Sequence, residues 1–153
     1  MKNEIVAIMH NTRSRENVGS MFRTADAAGI SKLYLCGITP RPPHAKISKT
    51  ALGAENTVPW EYHKQTWRLL EELKKRGYLV AALEKTPSAE DIFTFKPKFP
   101  LALIVGNEVS GLSPEILKRS DKKLAIPMYG QKESLNVAVA FGVAVYAIRE
   151  RVR

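Results

Sequence analysis

Short apolar runs alternate along this chain with segments in which apolar residues recur at helical spacing. The runs of strand length cover residues 5–9, 33–36, 78–83, 101–105 and 124–126, and the helical segments cover 14–29, 64–76 and 134–149, with a further helix start at 113–115. Continuous apolar strands are typical of strands that are buried on both faces. The alternation therefore predicts an α/β fold with a mostly parallel sheet flanked by helices, as one domain over residues 1–153.

Helix ends and inward faces follow from the same pattern. The first helix is predicted to end at Gly29, and the second to point Trp67, Leu70 and Leu73 inward. Ser113 followed by proline is a strong helix start. The last helix is apolar almost all round, so we expect it to be buried on most faces.

The stretch from 37 to 58 shows little regular pattern and holds Pro40, Pro42 and Pro43 among basic residues. A loop of this length is unusual inside a compact domain and is often functional. We interpret it as a basic loop that contacts phosphate groups, and the alternative is a floppy surface loop.

Composition adds constraints on partners and environment. The formal net charge is +9 with a sequence pI near 9.8, which favours polyanions but also fits a solvated basic surface. The single Cys36 lies in an apolar run and is expected to be a core residue.

The longest apolar stretch, 137–148, is too short to span a bilayer, and the N-terminus lacks a signal-peptide pattern. We expect a cytoplasmic protein without a membrane partner. The cysteine and histidine spacing predicts no metal site, and no glycine-rich dinucleotide motif is present.

Three polar segments interrupt the apolar surroundings. They read NVGSMFRTA at 17–25, VGNEVSGLS at 105–113, and IPMYGQKESLNVA at 126–138. The second and third each follow a predicted buried strand, which is where parallel-sheet proteins place ligand groups. Polar side chains in such settings are costly unless they bond each other or a ligand.

Each segment also has a plainer interpretation. Arg23 alone could be a surface arginine of an amphipathic helix, Asn107 could stabilise a turn, and Ser134 could be a helix N-cap. Asn136 is harder to explain in this way, because it begins a nearly apolar helix and its amide is expected to need a buried partner.

In order, spacing and setting, the three segments together resemble the signature motifs of the SpoU/TrmH-like branch of the SPOUT RNA methyltransferases. The resemblance covers the chain from Ile5 to about Ile148. It implies a C-terminal deep trefoil knot, S-adenosyl-L-methionine as cofactor, a homodimer with active sites near its interface, and methyl transfer to a ribose 2′-hydroxyl of RNA. The absence of an appended RNA-binding domain is similar to the tRNA-modifying members, so tRNA is favoured and rRNA is the alternative.

The resemblance also implies which residues form the site. The catalytic set is Arg23 with Asn17, Glu108, Ser134 and Asn136 around it. The cofactor-binding set is Leu83, Gly106, Asn107, Gly111, Ile126, Met128, Ser134 and Leu135. RNA contacts are expected from Arg13, Arg15, Arg41, Lys46 and Lys49. In this family the arginine has been assigned the role of base, whereas a guanidinium, as a fixed cation, could instead clamp a phosphate and stabilise an alkoxide.

Two other functions remain open from the sequence. A knotted RNA-binding protein without catalysis would not need the five polar residues of the catalytic set. An unrelated nucleotide-binding α/β enzyme would be expected to carry a phosphate loop, which the chain lacks.

Overall fold

The computed structural model describes residues 3–153, which form a seven-stranded sheet with helices on both faces. The strands are β1 (Ile5–His10), β2 (Lys32–Cys36), β3 (Trp60–His63), β4 (Leu79–Leu83), β5 (Glu90–Asp91), β6 (Leu101–Val105) and β7 (Lys122–Ala125). The helices are α1 (Arg15–Ala28), α2 (Ala45–Ala51), α3 (Thr66–Lys75), α4 (Pro114–Arg119) and α5 (Val137–Glu150), with a 3₁₀ turn at Ala54–Asn56. The strand pairs of the sheet are parallel, in the order β3-β2-β1-β6-β4-β7-β5. The predicted α/β class and parallel sheet are confirmed, while the trefoil knot stays a prediction.

The core consists of two layers separated by the sheet. Alternate residues of β1 point to opposite faces, so Ile5, Ala7 and Met9 join one cluster while Val6 and Ile8 join the other. The first cluster packs under α1, α2 and α5, and the second under α3 and α4. Because both faces are covered, β4 and β6 are apolar at every position and β1 at all but His10, which is the pattern that identified them in the sequence.

Helix α1 forms as its pattern predicts. The Ser14 hydroxyl caps its start by accepting the Asn17 N–H at 3.1 Å. The helix ends at Gly29, whose φ of 71° is the left-handed conformation that closes helices. Val18, Met21, Phe22 and Ala25 are buried, as expected of its apolar face.

The predicted inward face of α3 is partly wrong. Leu70 and Leu73 are fully buried, but Trp67 is 37% exposed and Leu69 takes the inward position. The helix begins at Thr66 rather than Lys64, which sets the buried stripe on Thr66, Leu69, Leu70 and Leu73. The Trp67 ring is instead flanked by the guanidinium groups of Arg68 and Arg119, each about 5.3 Å from its centroid.

Helix α5 also differs from its prediction at the start and on one face. It begins at Val137 with Asn136 as N-cap, so the expectation that Ser134 caps it is wrong. Phe141, Ala144, Val145 and Ile148 are fully buried, but Val139 is 53% and Tyr146 44% exposed. An apolar stripe of the helix therefore remains uncovered in the single chain.

The stretch from 37 to 58 is more regular than its sequence indicates. It contains α2 and the 3₁₀ turn, and Thr39 is buried with its hydroxyl donating to main-chain oxygens of β1 and β2. Strands β3 and β5 also form at positions where no strand was predicted. The seven-residue helix α2 is too short to be predicted from apolar spacing alone, and packing against α1 stabilises it.

The prediction for Cys36 is confirmed: the side chain is buried and forms no disulfide. Burial raises the pKa of its thiol to about 12, and a hydrogen bond with Thr66 offsets this only in part. The thiol is therefore protonated near neutral pH, in keeping with a core residue.

Candidate functional site

A pocket of about 360 Å³ opens where β4, β6 and β7 end. This is the edge at which parallel sheets place ligands, and the volume suits a small molecule. The pocket lining includes all eight positions expected to contact a cofactor, namely Leu83, Gly106, Asn107, Gly111, Ile126, Met128, Ser134 and Leu135. Sequence reasoning therefore located the walls of this pocket.

The loop after β6, residues 106–111, is a closed turn. Asn107 and Gly111 exchange main-chain hydrogen bonds of 3.0 and 3.1 Å across it. The Asn107 side-chain oxygen accepts the Val109 and Ser110 N–H groups, and its amide nitrogen donates to the Asn11 carbonyl at 2.9 Å. The Asn107 side chain thus stabilises the turn, whose residues line the pocket.

Two glycines permit this turn. A Cβ at Gly106 would overlap the Gly111 carbonyl, and Gly111 has a φ of 65°, which side chains disfavour. A Cβ at Gly111 would also collide with the Glu84 carboxylate. The close approach that these glycines allow is therefore made by the chain's own groups.

The Glu108 carboxylate joins this loop to the start of α1. Its oxygens accept the main-chain N–H groups of Arg13 and Ser14 at 2.9 Å each and the Asn17 amide at 3.1 Å. Burial by itself raises the pKa of Glu108, but these three hydrogen bonds outweigh burial, so the pKa lies below its usual range. A negative charge beside a helix N-terminus is further stabilised by the helix dipole.

The chain of contacts continues from Asn17 to the last helix. The Asn136 amide donates to the Asn17 side-chain oxygen at 3.3 Å. The Asn136 oxygen accepts the Ala138 and Val139 N–H groups and so caps α5. Asn136 is exposed, so the expected buried partner is wrong, but its amide does find another member of the predicted set.

The structure does not bring Arg23 to the rest of that set within one chain. Six helical residues separate Arg23 from Asn17, which places their side chains about 120° apart around α1 and about 9 Å apart along it. Arg23 is exposed, and within residues 3–153 no hydrogen bond or ion pair holds its guanidinium. Ser134 is also exposed but lies on the pocket wall.

The pocket wall also includes residues that the sequence reasoning did not single out, although they lie in or next to the implied cofactor-binding loops. Glu84 and Lys85 follow β4, and Glu133 precedes Ser134. Burial raises the pKa of Glu84 above its usual range, and a hydrogen bond from the Leu112 N–H partly opposes this. A carboxylate that directly follows a buried strand was the sequence signal that could have identified Glu84.

The five residues expected to contact RNA are all exposed: Arg13, Arg15, Arg41, Lys46 and Lys49. The Thr50 hydroxyl donates to the Glu16 carbonyl at 2.9 Å, which holds α2 and its lysines against the first turn of α1. The Arg41 guanidinium stacks 3.9 Å from the Tyr62 ring centroid. The segment at the start of α1, which carries Arg13 and Arg15, therefore lies next to the segment that carries Arg41, Lys46 and Lys49.

Other kinds of site find no support in the part of the chain that the structure describes. Residues 3–153 contain no group of three or more His, Cys, Asp or Glu side chains that could hold a metal ion. Within the same range, no helix has the length and apolar character needed to cross a membrane.

The chain is similar to known proteins over most of its length. A model of the SpoU rRNA Methylase family matches residues 4–146. The chain is 35% identical over 150 residues to the tRNA (guanosine(18)-2′-O)-methyltransferase of Aquifex aeolicus, covering 97% of this chain and 70% of that protein. It is 37% identical over 135 residues to the 23S rRNA (guanosine(2553)-2′-O)-methyltransferase RlmP of Bacillus subtilis, covering 87% and 53%.

Solved structures show the same fold. An rRNA methyltransferase from Sinorhizobium meliloti with AdoMet bound superposes with a TM-score of 0.93 at 27% identity, covering 100% of this chain and 58% of that one. A structure described as giving insights into the 2-OH methylation of C/U34 on tRNA superposes with a TM-score of 0.86 at 29% identity, covering 98% and 97%. The chain thus spans between about half and 70% of the two curated relatives and nearly all of this last structure.

We predict that Glu108→Gln lowers the free energy of unfolding at pH 7. The amide has one acceptor oxygen where the carboxylate has two, and its NH₂ would face N–H donors. After allowance for partial exposure, the loss should be about 1 kcal/mol. Urea unfolding measures it, with Glu133→Gln, at an exposed pocket carboxylate, as the matched control.

The same variant tests the pKa. A carboxylate whose pKa is lowered by folding stabilises the protein above its unfolded pKa of about 4.3, and this stabilisation disappears as the pH falls through the lower folded value. The difference between wild type and Glu108→Gln should therefore shrink below about pH 4. An equal difference from pH 7 down to pH 3 would contradict the assignment.

Proposed function

The chain belongs to the SpoU rRNA methylase family, and we propose that it is an S-adenosyl-L-methionine-dependent methyltransferase that modifies a ribose 2′-hydroxyl of RNA, with tRNA as the favoured substrate. The observation that carries the proposal is the pocket at the carboxyl edge of the sheet, whose walls are the cofactor-binding positions that the three motifs imply. The relatives named as tRNA and rRNA 2′-O-methyltransferases support the reaction class.

The pocket fits the proposed cofactor in size and lining. Apolar side chains of Ile126, Met128 and Leu135 suit an adenine ring, and the 106–111 turn offers main-chain groups. These residues would hold the cofactor without a glycine-rich phosphate loop, since this cofactor carries no phosphate. S-adenosyl-L-methionine supplies a methyl group on a positively charged sulfur, which is released as a neutral thioether when the ribose oxygen accepts the methyl.

Arg23 is proposed to orient the RNA and to stabilise charge on the attacking oxygen. A guanidinium stays protonated near neutral pH and binds phosphate through paired N–H donors, so it suits the phosphate beside the target ribose. The hydroxyl proton then passes to water as the new C–O bond forms. Glu108 is unsuited to the role of base, because both its oxygens already accept N–H donors and its pKa is low.

A homodimer is proposed to complete the site. Arg23 lies away from the pocket of its own chain, and the exposed Val139 and Tyr146 of α5 offer an apolar surface that a second copy could cover. Helix α5 packs on α1, the helix that carries Arg23, so this apolar surface and Arg23 lie on neighbouring helices. We therefore assign each active site Arg23 from one subunit and the cofactor pocket from its partner.

Methyl transfer from labelled S-adenosyl-L-methionine to tRNA and, in a separate reaction, to rRNA tests the function. Ribose methylation blocks alkaline cleavage at the modified position, because cleavage needs the free 2′-hydroxyl. We expect label in tRNA within alkali-resistant dinucleotides. Label only in rRNA would support the second candidate, which the Bacillus relative favours. Label in neither RNA, or label on a base, would contradict the proposal.

We predict that Arg23→Ala abolishes methyl transfer and leaves binding of S-adenosylhomocysteine within about twofold of wild type, because a clamp on the attacking oxygen acts only in transfer. The assay is the labelled transfer above, with calorimetry for binding. Arg68→Ala, an exposed arginine of α3 on the opposite face of the sheet, is the matched control. Loss of cofactor binding together with transfer would refute the role given to Arg23.

Mixing two inactive variants tests the shared site. Arg23→Ala lacks the clamp, and Leu135→Arg fills the pocket. If the subunits exchange at random, half of the dimers are mixed and each holds one intact site, so activity should return to about a quarter of wild type. Light scattering should report a dimer for both variants. A monomer in solution, or a mixture that stays inactive, would contradict the shared site.

A further inference from the structure

Glu84 is the one carboxylate of the pocket wall that combines partial burial with unused acceptor capacity. Three carboxylates line the pocket, and Glu108 is occupied by three N–H donors while Glu133 is exposed. Glu84 is half-buried and receives one hydrogen bond, from the Leu112 N–H. Among residues 3–153, no lysine, arginine or histidine forms an ion pair with it. A carboxylate has about four acceptor positions, so most of its capacity faces the pocket.

The fold holds this side chain in place. The Glu84 main-chain N–H donates to the carbonyl of Leu124 in β7 at 3.0 Å, which anchors the residue between the ends of β4 and β7. Its carboxylate occupies the space that a Cβ on Gly111 would take, so the glycine of the 106–111 turn makes room for it. Keeping a partly desolvated carboxylate without a cation is costly, which indicates that a ligand supplies the missing donors.

The order of the strands indicates which part of a ligand Glu84 would contact. The three strands that end at the pocket lie in the order β6-β4-β7. The β6 side carries Glu108, which accepts the Asn17 amide, and the β7 side carries the apolar Ile126 and Met128. Glu84 follows β4, the strand between them. In a nucleoside whose base lies on the β7 side and whose sulfur lies on the β6 side, the ribose is the part between.

We propose that the Glu84 carboxylate binds the two ribose hydroxyls of the cofactor and so is a specificity-determining residue of the pocket. A vicinal diol presents two O–H donors that match the two carboxylate oxygens, the pairing that acidic residues form with ribose in dinucleotide-binding folds. The inference rests on the proposed function, because it takes the ligand to be S-adenosyl-L-methionine.

Calorimetric binding tests this assignment without any turnover. The probes are S-adenosylhomocysteine, its 2′,3′-dideoxy analogue, and 5′-methylthioadenosine, which keeps the ribose but lacks the amino-acid part. For wild type, removal of both hydroxyls should weaken binding at least ~10-fold, as expected for hydrogen bonds to a charged group. Glu84→Ala should weaken S-adenosylhomocysteine by a similar factor and show no further loss, within about twofold, with the dideoxy analogue.

The remaining arms separate the alternatives. Glu84→Ala should weaken 5′-methylthioadenosine by the same factor as S-adenosylhomocysteine, whereas an unchanged affinity would mean that Glu84 binds the amino-acid ammonium and would overturn the proposal. Glu84→Gln, which keeps the shape and one acceptor, should show an intermediate loss and guards against misfolding of the alanine variant. Glu72→Ala, at an exposed carboxylate of α3 on the opposite face of the sheet, is the matched control and should bind like wild type.

Two failures are distinguishable in this design. In the first, wild type binds S-adenosylhomocysteine, but removal of both ribose hydroxyls weakens binding to Glu84→Ala as much as it weakens binding to wild type. The role of Glu84 is then wrong and the proposed function stands. If wild type binds neither S-adenosylhomocysteine nor 5′-methylthioadenosine, the proposed function and this inference both fail.

Discussion

The hydrogen bonds that the Glu108 carboxylate accepts from the start of α1 connect the segments on which the site depends. Arg13, Ser14 and Asn17 donate to it, and Asn17 in turn accepts the Asn136 amide at the start of α5. One carboxylate thus ties the 106–111 turn to two helices that begin at the same edge of the sheet. A pocket whose walls are held by such contacts is largely formed before a ligand binds, which reduces the ordering cost of binding.

Much of the fold could be predicted from the sequence because its central strands are buried on both faces. Strands β1, β6 and β2 form at the predicted runs around Ile5, Leu101 and Leu33, with small shifts at their ends. Helix α1 starts after Ser14 and ends before Gly29, as expected. The pocket walls were also predictable, because the motifs follow strands whose carboxyl ends meet at one edge.

The errors have physical causes that lie outside local sequence. Ser134 and Asn136 are both good helix caps, and only the path of the loop decides that Asn136 takes the role. Helix α2 is too short to be stable alone and depends on packing against α1. Arg23 and Asn17 belong to one motif, but the geometry of α1 keeps their side chains apart, so one chain does not gather the whole predicted set. Glu84 was not singled out because it lies outside the three polar segments, although its position directly after a buried strand was a usable signal.

The central claim is that the loops after β4, β6 and β7 form one preformed cofactor site. Hydrogen–deuterium exchange of the wild-type chain with and without saturating S-adenosylhomocysteine tests it most directly, because main-chain amides are the groups expected to hold the ligand. The account predicts slower exchange within residues 106–112 and 126–135, with β3 and α3 unchanged. Unchanged exchange in both loops under saturating ligand, or protection confined to residues outside the pocket, would contradict it.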